Sequence, residues 1–210
     1  EESMGEKIIR INMTTLTTST EPVPGEWAAL GGRALTSTVV AKEVPPTCEP
    51  LGKYNKLVFA PGLLAATAAA NSGRLSAGFK SPLTGGIKES NAGGTASQNL
   101  ERLGIKAVII EGMPKEDKWY SIHINKDGAT LKEDMEFVGN GIGNYELINK
   151  VSERLGKKTG IIICGPAGEH RMAAANISVK DPDGNIRSHG RSGVGAVMGS
   201  KQVKYITIDD

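Results

Sequence analysis

Two stretches of this chain combine the residue types that hold an anion. Asn71 to Gly94 (NSGRLSAGFKSPLTGGIKESNAGG) places six glycines and three Lys/Arg side chains in 24 positions, and Arg187 to Lys201 (RSHGRSGVGAVMGSK) repeats the recipe. Glycine lets a backbone approach a ligand closely and aim N–H groups at it, and the basic side chains supply the counter-charge. Two such stretches read as two halves of one anion site, or as seats for two phosphate groups on related ligands.

Other chemistry is poorly supported. Cys48 and Cys164 are the only cysteines and lie far apart, so the chain offers neither a disulfide framework nor a CxxC pair. Cys164 ends an apolar strand pattern, where a thiol is inert. His123 and His170 have no constellation around them, while His189 beside the second stretch reads equally as a tuned donor or as a neutral surface imidazole. Arg33, after Gly31-Gly32, is either a third basic contact or a solvated arginine at a helix start; Lys80 and Lys201 read as solvated. Gly139 to Gly143 (GNGIG) lacks the third glycine of a dinucleotide fingerprint, Asn144 standing in its place. Gly195 to Lys201 falls one residue short of a phosphate-binding P-loop.

Composition narrows the class. At 210 residues and 39% hydrophobic content the chain can bury a sizeable core, and its 27 glycines cluster instead of following a fibrous period. A net charge of +2 with no basic, aromatic-interleaved face argues against nucleic acid. No signal-peptide pattern and no apolar run of the ~20 residues that a membrane span requires are found, so no membrane partner and a cytoplasmic location are expected.

The elements that would position the two stretches follow from periodicity. Lys7 to Met13 alternates as a strand, and Thr14 to Thr20 returns as its hairpin partner. Ala34 to Glu43 fits a helix ended before Pro45-Pro46, and Lys56 to Ala60 a strand stopped at Pro61-Gly62. Leu75 to Phe79 alternates and leads into a binding loop; Thr95 to Leu103 then fits a helix whose N-terminus sits behind Gly93-Gly94 and favours an anion. Ala107 to Glu111 is a buried strand, Asp127-Gly128 marks a hairpin, and Tyr145 to Leu155 carries apolar residues at the spacing of one buried helix face. The last third repeats the middle third. Gly160 to Cys164 corresponds to Leu57 to Ala60, Met172 to Val179 to Leu75 to Phe79, and Lys204 to Asp209 to Lys106 to Glu111. The repeat unit reads strand, Pro/Gly turn, strand, basic Gly loop, short helix, strand.

With these motifs assembled, the chain resembles the N-terminal domain of the tungsten-containing aldehyde ferredoxin oxidoreductases over nearly its whole length. The strings that carry the resemblance are KIIRINMTT, GGRAL, NKLVFAPG, SGR, KSPLTG, ESNAGG, LGIKAVIIEG, GPAGE and GRSGVGAVMGSK. The resemblance implies an α+β fold of two mixed β-sheets with short helices, internally duplicated, with residues 1–210 forming one domain. It implies a base for a tungstopterin, in which two pterin dithiolenes ligate one metal and magnesium bridges their phosphates. Carried over position by position, Arg74 would contact the pterin and sit between it and a [4Fe–4S] cluster. Asn91 and Ser188, beside Arg187, would offer backbone carbonyls to magnesium, and Gly93 and Gly190 would give N–H groups to phosphate. No catalytic residue falls within this chain on that reading. Cluster cysteines belong to remaining domains or a partner subunit, with ferredoxin and a small aldehyde as further partners and a homodimer among the expected assemblies. Where the family usually has two alanines, this sequence has Ser188 and His189. The alternative from the loops alone is a non-catalytic anion- or nucleotide-binding module.

Overall fold

The computed structural model describes residues 6–210. It contains two six-stranded mixed sheets built by the same chain path traversed twice. In the first half, β1 (Lys7–Asn12) and β2 (Thr17–Pro22) form a hairpin, followed by helix α1 (Gly32–Glu43). Then come β3 (Leu57–Pro61), β4 (Leu75–Lys80), β5 (Ile87–Ala92), helix α2 (Ala96–Arg102) and β6 (Ile105–Glu111). The second half gives hairpin β7 (Tyr120–Asn125) and β8 (Gly128–Glu133), then α3 (Asn144–Leu155) and β9 (Gly160–Cys164). A short helical turn α4 (Pro166–Glu169) precedes β10 (Ile177–Lys180), β11 (Ile186–His189), α5 (Val194–Ser200) and β12 (Val203–Ile208).

The sheet orders are β2-β1-β6-β3-β4-β5 and β8-β7-β12-β9-β10-β11. Only β1–β6 and β7–β12 pair parallel, and they are the same pair in the two halves. The duplication is therefore complete. It includes the opening hairpins and the helices α1 and α3, which the sequence comparison had not reached. Even an irregularity is copied: Lys106 and Lys204 are each the extra residue of a bulge against β1 and β7.

Alternation along the strands sends side chains to two different cores. Leu57 and Phe59 of β3 face inward with Ile162, Ile206, Leu100 and Val197, so α2 and α5 lie between the sheets in a core shared by both halves. Val58 and Ala60 face outward against Leu35, Val39 and Val40 of α1. Ile161 and Ile163 do the same against Leu147, Ile148 and Val151 of α3. The layers thus run α1, first sheet, α2 with α5, second sheet, α3.

Two sequence expectations change shape. The stretch Asn71 to Gly94 is a loop only at its ends and over residues 81–86, since β4 and β5 pair from Leu75↔Ala92 to Lys80↔Ile87. Its polar second arm carries no apolar alternation because β5 is the last strand of its sheet, and the same holds for β11. The Asp127-Gly128 hairpin forms, but Gly128 already pairs with Asn125, leaving Lys126 and Asp127 as the turn.

Lys80 and Lys201 are buried, against the expectation of solvated side chains. Lys80 Nζ donates to the carbonyls of Pro46 and Cys48, and Lys201 Nζ to those of Asn55 (2.6 Å) and Gly112 (2.9 Å). A long apolar stem and a head capped by carbonyls make that burial tolerable. Desolvation nevertheless lowers the Lys201 pKa to about 7.

Candidate functional site

The two glycine-rich stretches meet. Strands β5 and β11, the edges of the two sheets, lie against each other and are tied by side chains. His189 Nδ1 donates to the carbonyl of Ser90 at 2.8 Å, and the Arg191 amide donates to Ser90 Oγ at 3.2 Å. Further along, Ser81 Oγ donates to Ser192 O at 2.8 Å, and the Thr95 amide to Lys180 O at 3.1 Å. Each half thus grips the other near the start of its inner helix.

Strand register identifies the matching positions. Ser76, second in β4, pairs with Asn91, while its hydroxyl meets Thr36 of α1. Ser178, second in β10, pairs with Ser188, while its hydroxyl accepts from Asn144 of α3. Asn91 and Ser188 are therefore equivalents, as are Gly93 and Gly190 two residues on. Ser90, just before Asn91, bonds His189, just after Ser188, so the pseudo-two-fold relation runs through the Asn91–Ser188 region. The contact itself is not reciprocated, because Ala92 stands where the second half has His189.

Arg74 immediately precedes β4 and is exposed; its Nε donates to Asn91 Oδ1 and its Nη2 to Asn91 O at 3.4 Å. Asn91 Nδ2 reaches Glu89 Oε1 at 3.3 Å, and Glu89 Oε2 accepts from Arg33 Nε at 3.3 Å. In the chain Arg33–Glu89–Asn91–Arg74, the Arg33 guanidinium is largely exposed but anchored beside the seam. Arg187 is placed differently. Its guanidinium is held by Asp181, through Nε and Nη2 at 3.1 Å each, at the β10–β11 turn. It remains two residues from His189, about 7 Å along a strand.

The seam has room for a ligand. A Cβ built on Gly93 or on Gly190 would meet nothing within 4 Å, so the space over both is open. Gly94 (φ +138) and Gly193 (φ +80) are the opposite case. Side chains there would strike Val179 and Lys180 O, or Ala173 O and Pro82, and the positive φ suits glycine besides. The donor chemistry is that of an anion site: exposed guanidiniums of Arg74, Arg33 and Arg191 and open glycine backbone. No group of three or more His, Cys, Asp or Glu side chains placed to hold a metal occurs among the described residues. A half-open cavity of about 500 Å³ lies to one side, lined by Thr95, Gln98, Arg102, Lys157 and Lys158 and bordering the seam at Thr95. The seam itself is an open face.

His189 is not at the surface, and the hydrogen bond it donates goes to the Ser90 carbonyl. It is fully buried, edge-on to Phe59 at 6.1 Å between ring centroids, and burial pushes its pKa down to about 4, so the ring is neutral. Cys164 is buried as expected, its thiol pushed up to about 12 by desolvation. His123 pairs with Thr207 Oγ1 at 2.8 Å and His170 is exposed. Gly195 to Lys201 runs through α5, so no phosphate loop forms there. Ser90, Glu89 and Arg191 escaped sequence reasoning, because only the meeting of two edge strands brings them to the site.

Comparison with known proteins bears on this face. The sequence model described as "Aldehyde ferredoxin oxidoreductase, N-terminal domain" matches residues 8–210. The chain is 36% identical over 206 residues to the tungsten-containing aldehyde ferredoxin oxidoreductase of Pyrococcus furiosus, covering 97% of this chain and 33% of that protein. It is 36% identical over 205 residues to the enzyme of the same name from Thermococcus kodakarensis, with the same coverage. A P. furiosus protein described as "Aliphatic sulfonate oxidoreductase, WOR-like subunit" is 30% identical over 190 residues, 84% of this chain and 29% of that one. Among solved structures, the active site complex BamBC of benzoyl coenzyme A reductase, with 1,5-dienoyl-CoA, matches with a TM-score of 0.85 and 26% identity. That match covers 96% of this chain and 30% of the other. The chain spans about a third of the length of the curated relatives it matches. No helix among the described residues is long and apolar enough to cross a membrane.

Proposed function

This chain belongs to the aldehyde ferredoxin oxidoreductase family, as its N-terminal domain, and from that premise we propose that residues 1–210 are the base on which a tungstopterin lies across the β5–β11 seam. The observation that carries the proposal is the register equivalence of Asn91 with Ser188, and of Gly93 with Gly190, at the point where the halves meet. A ligand made of two like phosphorylated halves needs two like seats.

Asn91 and Ser188 would each turn a backbone carbonyl to one magnesium ion, a hard cation that takes oxygen ligands and keeps phosphates close. Gly93 and Gly190 would give backbone N–H groups to the two phosphates, and the open space over both is what such an approach requires. Arg74 would lie against one pterin, its planar guanidinium donating in fixed directions while Asn91 Oδ1 holds it in place. Arg187, engaged by Asp181, would contribute its backbone and its charge instead of a free side chain. Ser188 keeps a backbone role intact, since no side chain of that residue is called upon.

When bound, the cofactor would supply the redox chemistry by which an aldehyde and a water molecule become a carboxylic acid, releasing two protons and two electrons. A [4Fe–4S] cluster would then pass the electrons to ferredoxin. Aldehydes are the proposed substrate class because the relatives at 36% identity carry that activity in their name. Cys48 and Cys164 cannot supply four cluster ligands, so those belong to the other two thirds of the enzyme or to a partner subunit. Location in the cytoplasm and a homodimeric assembly complete the reading.

The test is metal analysis of the full-length enzyme together with aldehyde-dependent reduction of ferredoxin. Stoichiometric tungsten and magnesium, both reduced several-fold in Arg74→Ala at unchanged fold, are expected. An enzyme that reduces ferredoxin with aldehydes yet binds its cofactor equally well in Arg74→Ala and in Gly190→Val would remove the seam from the reading.

A further inference from the structure

His189 is a side chain of β11 that crosses to the backbone of β5, donating Nδ1–H to Ser90 O at 2.8 Å. The residues it joins adjoin the two carbonyl-bearing positions: Ser90 precedes Asn91, and His189 follows Ser188. The register places Ala92 at the equivalent position of the first half, and alanine has no donor to return the contact. The strap is therefore one-sided and belongs to the half in which a histidine stands.

Resting on the cofactor reading above, we propose that His189 is a positioning residue that fixes the separation of the Asn91 and Ser188 backbones and thereby the geometry of the divalent cation between them. Three observations support this. The ring is completely buried and held edge-on by Phe59, so its orientation is constrained by packing. The acceptor is a carbonyl, so the proton must reside on Nδ1, and Nε2 is left as a bare buried acceptor without a partner among the described residues. A buried polar atom left unpaired costs stability, and a solely structural site would favour an apolar residue there. Magnesium tolerates little departure from octahedral geometry, so a small change in oxygen separation costs affinity steeply.

The experiment compares His189→Asn, His189→Gln and His189→Ala in the full-length enzyme. Asparagine can present its amide N–H near the Nδ1 position and keep the bond to Ser90 O, while glutamine places its amide where Nε2 was. Magnesium and tungsten per chain, and the W(V) electron paramagnetic resonance spectrum, are the readouts. Expected are contents within two-fold of wild type for His189→Asn, and at least a five-fold loss of magnesium with an altered spectrum for His189→Gln and His189→Ala. Equal magnesium content and spectra in all three variants and wild type would overturn the proposal. So would equal loss in all three, since the ring's bulk and not its hydrogen bond would then matter. A wild-type enzyme with aldehyde activity but no tungsten would instead overturn the cofactor reading itself.

Discussion

Arg74 projects from the end of a loop into solvent and touches the fold through Asn91 alone among its side-chain hydrogen bonds. Truncating an exposed arginine of this kind should change stability by no more than about 0.5 kcal/mol. A drop in cofactor content for Arg74→Ala, measured with an unchanged melting temperature of the chain, would separate binding from folding. Lys201 should report on pH. Its folded pKa is about 7 against an ordinary 10.5, so between these values the unfolded chain holds a proton that the folded chain has released. Stability should therefore rise as pH goes from 7 to 10.5, and below 7 the cost of burying the charge is fully present. Urea unfolding across that window should show the rise in wild type and a smaller one in Lys201→Met. The exposure of Arg74 was legible from its place after a Ser-Gly turn. The burial of Lys201 was not, because the carbonyls of Asn55 and Gly112 that cap it belong to distant segments that only the fold assembles.

Elements with strong periodicity were readable: β1, β3, β6, β9, β12 and α3 all stand where apolar spacing put them. The polar edges β5 and β11 were not, since a last strand exposes one flank and needs no alternation. Close helix packing was equally hidden. All seven residues of α5 are buried, and a Cβ on Gly199 would lie 1.8 Å from Gly168 O of α4, one on Gly195 2.2 Å from Asn176 O. Gly199→Ala should therefore destabilise the chain by about 3 kcal/mol through overpacking against backbone that cannot yield. Gly93→Ala meets open space and should cost less than about 1 kcal/mol, while lowering cofactor content in the complete enzyme. Chemical denaturation of both variants gives the contrast directly.

The two halves share one inner core, in which Phe59 and Leu100 of the first pack with Ile162 and Val197 of the second. Neither half alone can cover that surface, so fragments 6–113 and 114–210 should be unfolded separately and regain structure when mixed, as circular dichroism would record. Residues 1–210 alone should show no [4Fe–4S] absorption band and no aldehyde oxidation, for want of cluster ligands. The repeat itself was visible in outline from Gly160 to Asp209, and both opening hairpins were readable, yet their equivalence rests on the parallel pairing of β1 with β6 and of β7 with β12, which no matching strings announce. Besides the Ala92–His189 pair, the position before β4 and β10 departs from the copying. Arg74 directly precedes β4, and the residue that directly precedes β10 is Asn176. A perfectly repeated pedestal would accept a ligand of two like halves in either of two orientations and could not tell them apart. On the proposed reading, a single guanidinium on one side would key the seat, making the two pterins chemically distinct and giving a current that leaves the metal a preferred exit.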